Sequence, residues 1–380
     1  MAIVVKKFGG TSLSSDDGFA KAVSHVQKSI FGQDQVVVVV SSAAGVTSDL
    51  LSRAEKLGRC KAEMDSILAS GEQVQASLFA LALQRAGINA RSFLGWQIPI
   101  ITDDNHLNAK VTSANTGAVK DFMSVGVPVV AGFQGISRTG RITTLGRGGS
   151  DITAAVLAGE LDASCEIYTD VDGVYPADPK IVADAVPYES ICDEDLVMLA
   201  ECGSKVVHKE ASLLIQRNSI PTKILSSQTG RGTRVVQTSL NTPAWGVVLQ
   251  HVWRVCCSAS FSGKGGVLNA EITSQFTDKR EFVLTDDEIA CIDRREVIRK
   301  TRYALLSIIG WKGDAPTAIK RSFALNGISI YHTSIVLKRC NILVDADRGS
   351  EAASLIYHIC FNGGDVAEED WLLASSSSSN

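Results

Sequence analysis

The chain has 380 residues, a formal net charge of −4, 45% hydrophobic and 21% charged residues. That length predicts two or three domains of an ordinary globular protein. The acidic balance argues against a nucleic-acid binder, since the densest basic cluster, Arg294 to Arg302, is short and interrupted by Glu296 and Val297. No run reaches the roughly 18 apolar residues of a membrane span.

The nine cysteines form no CxxC pair. They suit a reducing cytoplasm and free thiols that pack as small hydrophobes. Cys256 and Cys257, adjacent at the end of an apolar run, read as packing residues. The six histidines are scattered without HExxH or other ligand spacing, so zinc is not supported. The N-terminus has no basic segment followed by a long apolar stretch, so it does not read as a signal peptide.

Taken in chain order, Ala2 to Val5 reads as a strand that opens into KKFGGTSLSSDDG, residues 6 to 18. Glycines after a strand let backbone N–H groups approach an anion, and lysine adds a point charge for phosphate. The common phosphate loop GxxxxGK[ST] occurs nowhere in the chain. Val36 to Val40 is a run of five valines, a strand buried on both faces. SSAAGVTS, 41 to 48, then opens a helix. Gly71 to Ala86 reads as a helix with Val74, Leu78, Leu81 and Ala82 on its apolar face. Ser92 to Ile101 reads as a strand pair interrupted by Gly95. Val127 to Phe133 is a further buried strand. Thr143 to Leu145 leads into GRGGSD, 146 to 151, and a helix from Ile152 to Leu161. Glu166 to Thr169 is a short strand that ends in TDVDGVYPADPK, 169 to 180, and Thr222 to Leu225 is a late strand.

Alternating strands and helices predict a mainly parallel sheet covered on both faces. A shift to Gly, Ser, Thr and Pro after residue 226 marks a linker, placed at 236–245. Beyond it, a strand Tyr303 to Ile309, a helix Pro316 to Leu325, a strand pair Ile328 to Val336 and Asn341 to Asp345, and a helix Ser350 to Cys360 follow the ferredoxin-like order. A last strand is expected near Asp365 to Leu372. The segment 246–292 reads as a shorter second copy. The serine-rich end, 374–380, is expected to be disordered.

Ligands of an open α/β sheet bind beyond the carboxyl ends of its strands. Four glycine- and hydroxyl-rich loops are expected there: KFGGTS, SSAAGVTS, GRGGSD and TDVDGVYPADPK. GRGGSD sets Arg147, Ser150 and Asp151 before a helix, where N–H groups favour anions and an arginine can clamp a carboxylate. Asp151 or Ser150 can also simply cap that helix. The acidic loop can hold a sugar, a base amine or a metal. Lys205, in GSKVVHKE, can neutralise phosphate. Glu72, in ASGEQ, suits either a helix start or a substrate amine.

Together and in order, KFGGTS, VVVVVSSAAGVTSDLL, SGEQ, VPVVAGFQG, TTLGRGGSDITAA, YTDVDGVYPADPK and GSKVVH resemble the aspartate kinases, within the amino-acid kinase family. The resemblance covers about residues 2 to 236. It implies an amino-acid kinase domain over 1–235, a three-layer α/β fold, and tandem ACT regulatory domains over 246–373, the first abbreviated. It implies MgATP-dependent phosphorylation of the β-carboxylate of L-aspartate, an entry step to lysine, threonine, methionine and diaminopimelate synthesis.

By the same resemblance, Lys7 and Asp151 act at the transferring phosphoryl group and Gly9 and Gly10 line its path. Ser41, Thr47, Glu72, Arg147 and Ser150 hold aspartate, with Glu72 toward the amine and Arg147 toward the α-carboxylate. Thr169, Asp170, Tyr175, Asp178, Lys180 and Lys205 line the ATP site. Protein ligands for Mg²⁺ are not assigned. A homodimer is implied, as is an amino-acid effector at the tail. Two departures stand out: Lys209 and Glu210 follow GSKVVH where the family commonly has proline, and SASFSGKGGVLNAEITS replaces the usual ligand loop of the first ACT copy. The effector loop of the second copy is expected in IIGWKGDAPTAIK. The competing readings are a kinase of acetylglutamate, glutamate or carbamate, and a non-catalytic amino-acid sensor.

Overall fold

The computed structural model describes residues 2–237, 246–257, 281–286, 289, 297–310, 315–336 and 339–362. They fall into two compact units. One lies within Met1–Val174 and Pro187–Asn241, the other within Tyr175–Val186 and Thr242–Asn380.

The first unit begins with β1 (Ile3–Phe8), α1 (Asp16–Phe31) and β2 (Gln35–Val40). Asp16 and Asp17 favour the start of α1, and Ser15 caps it by accepting from the Gly18 N–H. Next come α2 (Val46–Leu57), α3 (Lys61–Arg85), β3 (Ala90–Phe93), β4 (Ile100–Thr102), β5 (Val111–Ala114) and α4 (Gly117–Met123). They are followed by β6 (Val127–Ala131), β7 (Gln134–Ser137), β8 (Ile142–Thr144), α5 (Gly149–Glu160) and β9 (Ser164–Thr169). The unit closes with β10 (Ser190–Cys192), α6 (Asp193–Glu201), α7 (Lys209–Arg217), β11 (Thr222–Ser226) and β12 (Gly232–Val236).

Eight strands form the main sheet, in the order β10-β12-β11-β9-β1-β2-β6-β3. All neighbours are parallel except β11 and β12. The valine run of β2 is central and buried throughout, because helices cover both faces. Side-chain alternation along β1 sends Val4 and Phe8 into the core shared with α1 and α3. Lys6 points to that side too, where its ammonium pairs with Glu166 and donates to the Tyr168 hydroxyl at 3.1 Å. Lys7 therefore points to the other side, toward α5.

Two expectations are corrected. The helix expected over Gly71 to Ala86 starts ten residues earlier, and its buried side is not the expected one. Val74, Leu78 and Leu81 are exposed, while Ala76, Phe79, Ala80 and Leu83 are buried. Apolar and polar residues are mixed around the helix, so periodicity does not select a face, and the small residues Ala69, Gly71, Ala76 and Ala80 permit close packing. The strand pair expected over Ser92 to Ile101 is instead two strands in different sheets: β3 edges the main sheet, and β4 joins a four-stranded sheet of order β5-β4-β7-β8. The turn around Gly95 is packed against Gln134, where a side chain would meet backbone.

The second unit holds β13 (Gly246–Cys257), β14 (Glu281–Leu284), β15 (Val297–Ile309), α8 (Ala315–Leu325), β16 (Ile330–Val336), β17 (Arg339–Asp345) and α9 (Gly349–Asn362). Its sheet, β14-β13-β15-β17-β16, is antiparallel. The run β15-α8-β16-β17-α9 follows the expected ferredoxin-like order, and β13 lies beside β15, where the closing strand of that pattern would pair. The expected last strand at 365–372, the serine-rich end, residues 238–245 of the linker, the whole SASFSGKGGVLNAEITS loop of the first copy and residues 311–314 of the second copy's expected effector loop lie outside the described residues.

The segment Tyr175–Val186 leaves the first unit and returns to it at Pro187. Its Ala177, Val182 and Ala185 belong to the core of the second unit with Val247, Phe323 and Ile356. The resemblance had put this segment inside the kinase domain. Among the described cysteines, Cys165, Cys192, Cys202 and Cys340 are buried free thiols. Among the described residues, no helix is long and apolar enough to cross a membrane.

Candidate active site

Lys7, Ser41, Thr47, Glu72, Arg147, Ser150 and Asp151 line one cavity of about 470 Å³. The sequence spreads them over 145 positions; the sheet gathers them at one end. Lys7 comes from β1, and Ser41 and Thr47 follow β2. Glu72 comes from the middle of α3. Arg147 to Asp151 follow β8, a strand of the smaller sheet, so only three of the four expected loops leave the main sheet.

The Lys7 Nζ lies 2.7 Å from Asp151 Oδ1, with both side chains 12% exposed. Asp151 sits in the first turn of α5, where a carboxylate suits the helix dipole. The start of α5 needs its glycines. Gly148 is left-handed at φ 71°, and a Cβ there would lie 2.2 Å from the Cβ of His208. Gly10 also has no room for a side chain: a Cβ would approach the Ser42 carbonyl to 2.4 Å, so the loops after β1 and β2 are in close contact.

Glu72 is 3% exposed. Its Oε1 accepts from the Ser42 N–H at 3.1 Å, whereas its Oε2 has no hydrogen-bond partner. Burial, partly offset by the Ser42 hydrogen bond, pushes its pKa up to about 7. A buried carboxylate with an open oxygen facing a cavity is suited to an ammonium group. Ser42 also shares a 2.7 Å hydrogen bond with Thr47, which fixes the loop after β2.

The remaining site expectations fall elsewhere. Thr169 and Asp170 lie at the end of β9, beside β1, and the Thr169 hydroxyl donates to Asp170 at 3.1 Å. Gly9 is next to that strand end: a Cβ on it would lie 3.5 Å from the Lys7 Nζ and 3.7 Å from the Tyr168 carbonyl. Lys205 is exposed in the turn between α6 and α7. Tyr175, Asp178 and Lys180 belong to the second unit. None of these six ATP-site candidates lines the cavity around Lys7.

Sequence reasoning missed several residues that shape the site. Ser42, Leu107, Phe133 and Thr144 line the cavity. His208 packs on Gly148, and burial lowers its pKa. It stands at the N-cap position of α7, which starts at Lys209, without a side-chain capping bond. Ser42, Phe133, Thr144 and His208 fell inside the quoted motifs without being given a role; Leu107 lay in none of them and becomes a neighbour through tertiary packing. Leu107 and Phe133 adopt φ values of 70° and 69°, uncommon for bulky residues.

The sequence profile described as "Amino acid kinase family" matches residues 2–226. The protein named Aspartokinase in Rickettsia bellii is 44% identical over 234 residues, which cover 60% of this chain and 58% of that protein. The match therefore spans somewhat more than half the length of such relatives. Among solved structures, E. coli aspartokinase III in complex with aspartate and ADP has a TM-score of 0.75 at 23% identity, covering 94% of this chain and 100% of that one. The same enzyme in complex with lysine and aspartate has a TM-score of 0.67 at 22% identity, covering 94% and 99%. The fold, the matched residues and the cavity between the glycine loops agree: the chain belongs to the amino acid kinase family.

Proposed function

We propose that the protein is an aspartate kinase, which transfers the γ-phosphoryl group of ATP to the β-carboxylate of L-aspartate and gives 4-phospho-L-aspartate and ADP. The observation that carries this reading is the buried Glu72 carboxylate, with its open Oε2, on the same cavity as Arg147 and the Lys7–Asp151 pair. An acid that bears both an amine and a second carboxylate satisfies all three. The identity to aspartokinases over the kinase region supports the choice of aspartate.

In this reading Glu72 receives the α-ammonium, Arg147 the α-carboxylate, and Ser41, Thr47 and Ser150 the remaining polar edges of the substrate. The β-carboxylate is ionised at neutral pH and needs no general base. Its oxygen forms the new P–O bond as the bond to the ADP oxygen breaks. The barrier is the approach of two anions, and Lys7 relieves it by placing positive charge beside the transferring group. Asp151 holds the Lys7 ammonium in place. Gly9 and Gly10 keep the path to Lys7 clear of side chains.

Thr169, Asp170 and Lys205 are proposed for the nucleotide. The described residues contain no cluster of three metal-ligating side chains. Asp151 is the acid that fits a Mg²⁺ ion held mainly by phosphate oxygens and water. That ion, when bound with the nucleotide, neutralises charge on the phosphate oxygens. An ACT-type effector site in the second unit and a homodimer complete the proposal. The likeness to the lysine-bound E. coli enzyme supports an amino-acid effector.

The test is to incubate the purified chain with MgATP, L-aspartate and hydroxylamine. Aspartyl hydroxamate that forms with aspartate and fails with glutamate or acetylglutamate supports the reading. Product from another acid, or ATP binding without product, defeats it in favour of a different kinase or a sensor.

A further inference from the structure

Below the cavity lies a second carboxylate that the proposed mechanism does not use. Asp65 is on α3, seven residues before Glu72, and is fully buried. Its Oδ1 accepts from the Thr144 hydroxyl at 2.5 Å and from the Leu107 N–H at 3.0 Å. Its Oδ2 lies 2.5 Å from the His106 Nδ1. One side chain thus joins the end of β8 to the 103–108 turn.

Two of these three partners are placed where they matter. Thr144 and Leu107 line the cavity, and Leu107 is held at φ 70°, a conformation that costs a leucine free energy. The Ala109 N–H donates to the Thr144 carbonyl at 2.9 Å, which closes the same junction from the other side. The turn then backs directly onto Gly146: a Cβ there would lie 2.8 Å from Asn108 Oδ1 and 3.1 Å from the Leu107 carbonyl. Arg147 is the next residue.

We infer that Asp65 is a positioning residue for Arg147, acting by pinning Leu107 and Thr144 so that the 103–108 turn supports the backbone from which the Arg147 side chain reaches the substrate. The inference rests on the kinase reading for its kinetic consequence. A charged acceptor at a buried site makes strong hydrogen bonds, and its loss frees a residue that otherwise relaxes out of the left-handed region. Two supports from one helix follow. Glu72 fixes the loop after β2, and Asp65 fixes the loop after β8, so α3 sets the distance between the two walls of the cavity.

The test compares the full chain with its Asp65→Asn variant. Aspartate KM should rise about tenfold, the equivalent of one lost charge-assisted hydrogen bond, with ATP KM changed less than about twofold. Hydrogen exchange should accelerate in residues 103–110 and 144–149. Adding Leu107→Gly to Asp65→Asn should recover part of any Tm lost, because glycine adopts the left-handed conformation without strain, while aspartate KM stays high because the turn is still unpinned. If Asp65→Asn does not fold, Thr144→Val removes one of the same hydrogen bonds and should raise aspartate KM in the same direction. A folded Asp65→Asn protein with unchanged aspartate KM and unchanged exchange overturns the inference, as does a lower Tm as its sole effect. A wild-type chain that makes no hydroxamate defeats the kinase reading instead, and hydrogen exchange then still decides whether Asp65 holds the two segments.

Discussion

Lys7 and Asp151 are 144 positions apart, yet their charged groups lie 2.7 Å from each other, across the gap between β1 and the first turn of α5. Neither side chain is more than 12% exposed. A lysine held this way has a fixed direction, and that direction is into the cavity lined by Glu72 and Arg147.

Lys7→Ala should therefore remove most of kcat, by about two to three orders of magnitude, as for other single electrostatic donors at a transferring group. Aspartate binding, measured by calorimetry, should fall much less. A Lys7→Ala enzyme with near-normal kcat would sink the assigned role.

Glu72 gives a pH signature. Its pKa is raised to about 7 by burial. The folded state then binds more protons than the unfolded chain between the ordinary carboxylate pKa and 7, so this group lowers stability as pH rises through that window, by on the order of 3 kcal/mol at most. Glu72→Gln should raise the Tm of the ligand-free protein at pH 8 relative to pH 5, compared with wild type. Recognition of the substrate amine needs the ionised form. Aspartate KM should thus fall as pH rises through 7 in the wild type, while Glu72→Gln should show a high, flat KM profile.

Gly148 and His208 form a packed pair at the foot of α5. Gly148→Ala should destabilise the protein by about 2 kcal/mol or more, since it forces a left-handed alanine against the imidazole. Removing the whole side chain with His208→Gly should recover part of that loss but not the backbone strain. Fully additive effects in the double variant, read by denaturant unfolding, would show that the two residues do not share the space.

The face of α3 can be checked directly. Leu83 is buried and Leu81 is 60% exposed. Leu83→Ala should cost about 2–5 kcal/mol and Leu81→Lys within about 0.5 kcal/mol. Equal costs would mean that the exposed stripe is covered in the assembled protein.

The sequence by itself determined the parts whose cause is local. Five consecutive valines can only be a strand buried on both sides, and β2 is that strand. Glycine pairs beside lysine, arginine and hydroxyls marked the loops after β1, β2 and β8, because close backbone approach excludes side chains. Those loops hold six of the seven expected residues that line the cavity; Glu72 came from its helix motif.

Tertiary structure decided what no local rule contains. With apolar residues spread around it, α3 has no preferred face until neighbours press on it, and they select Phe79 and Leu83 over Leu78 and Leu81. Asp65 and Leu107 carried no sequence signal, and the GSKVVH motif did not reveal the contact of His208 with Gly148, since each matters through a partner distant in the chain. The sharpest case is Tyr175–Val186. It reads as a continuous extension of the acidic loop, yet its Ala177, Val182 and Ala185 are buried with the core of the second unit. Which core a short apolar segment joins depends on which surface can bury it, and that surface exists only once the second unit has folded.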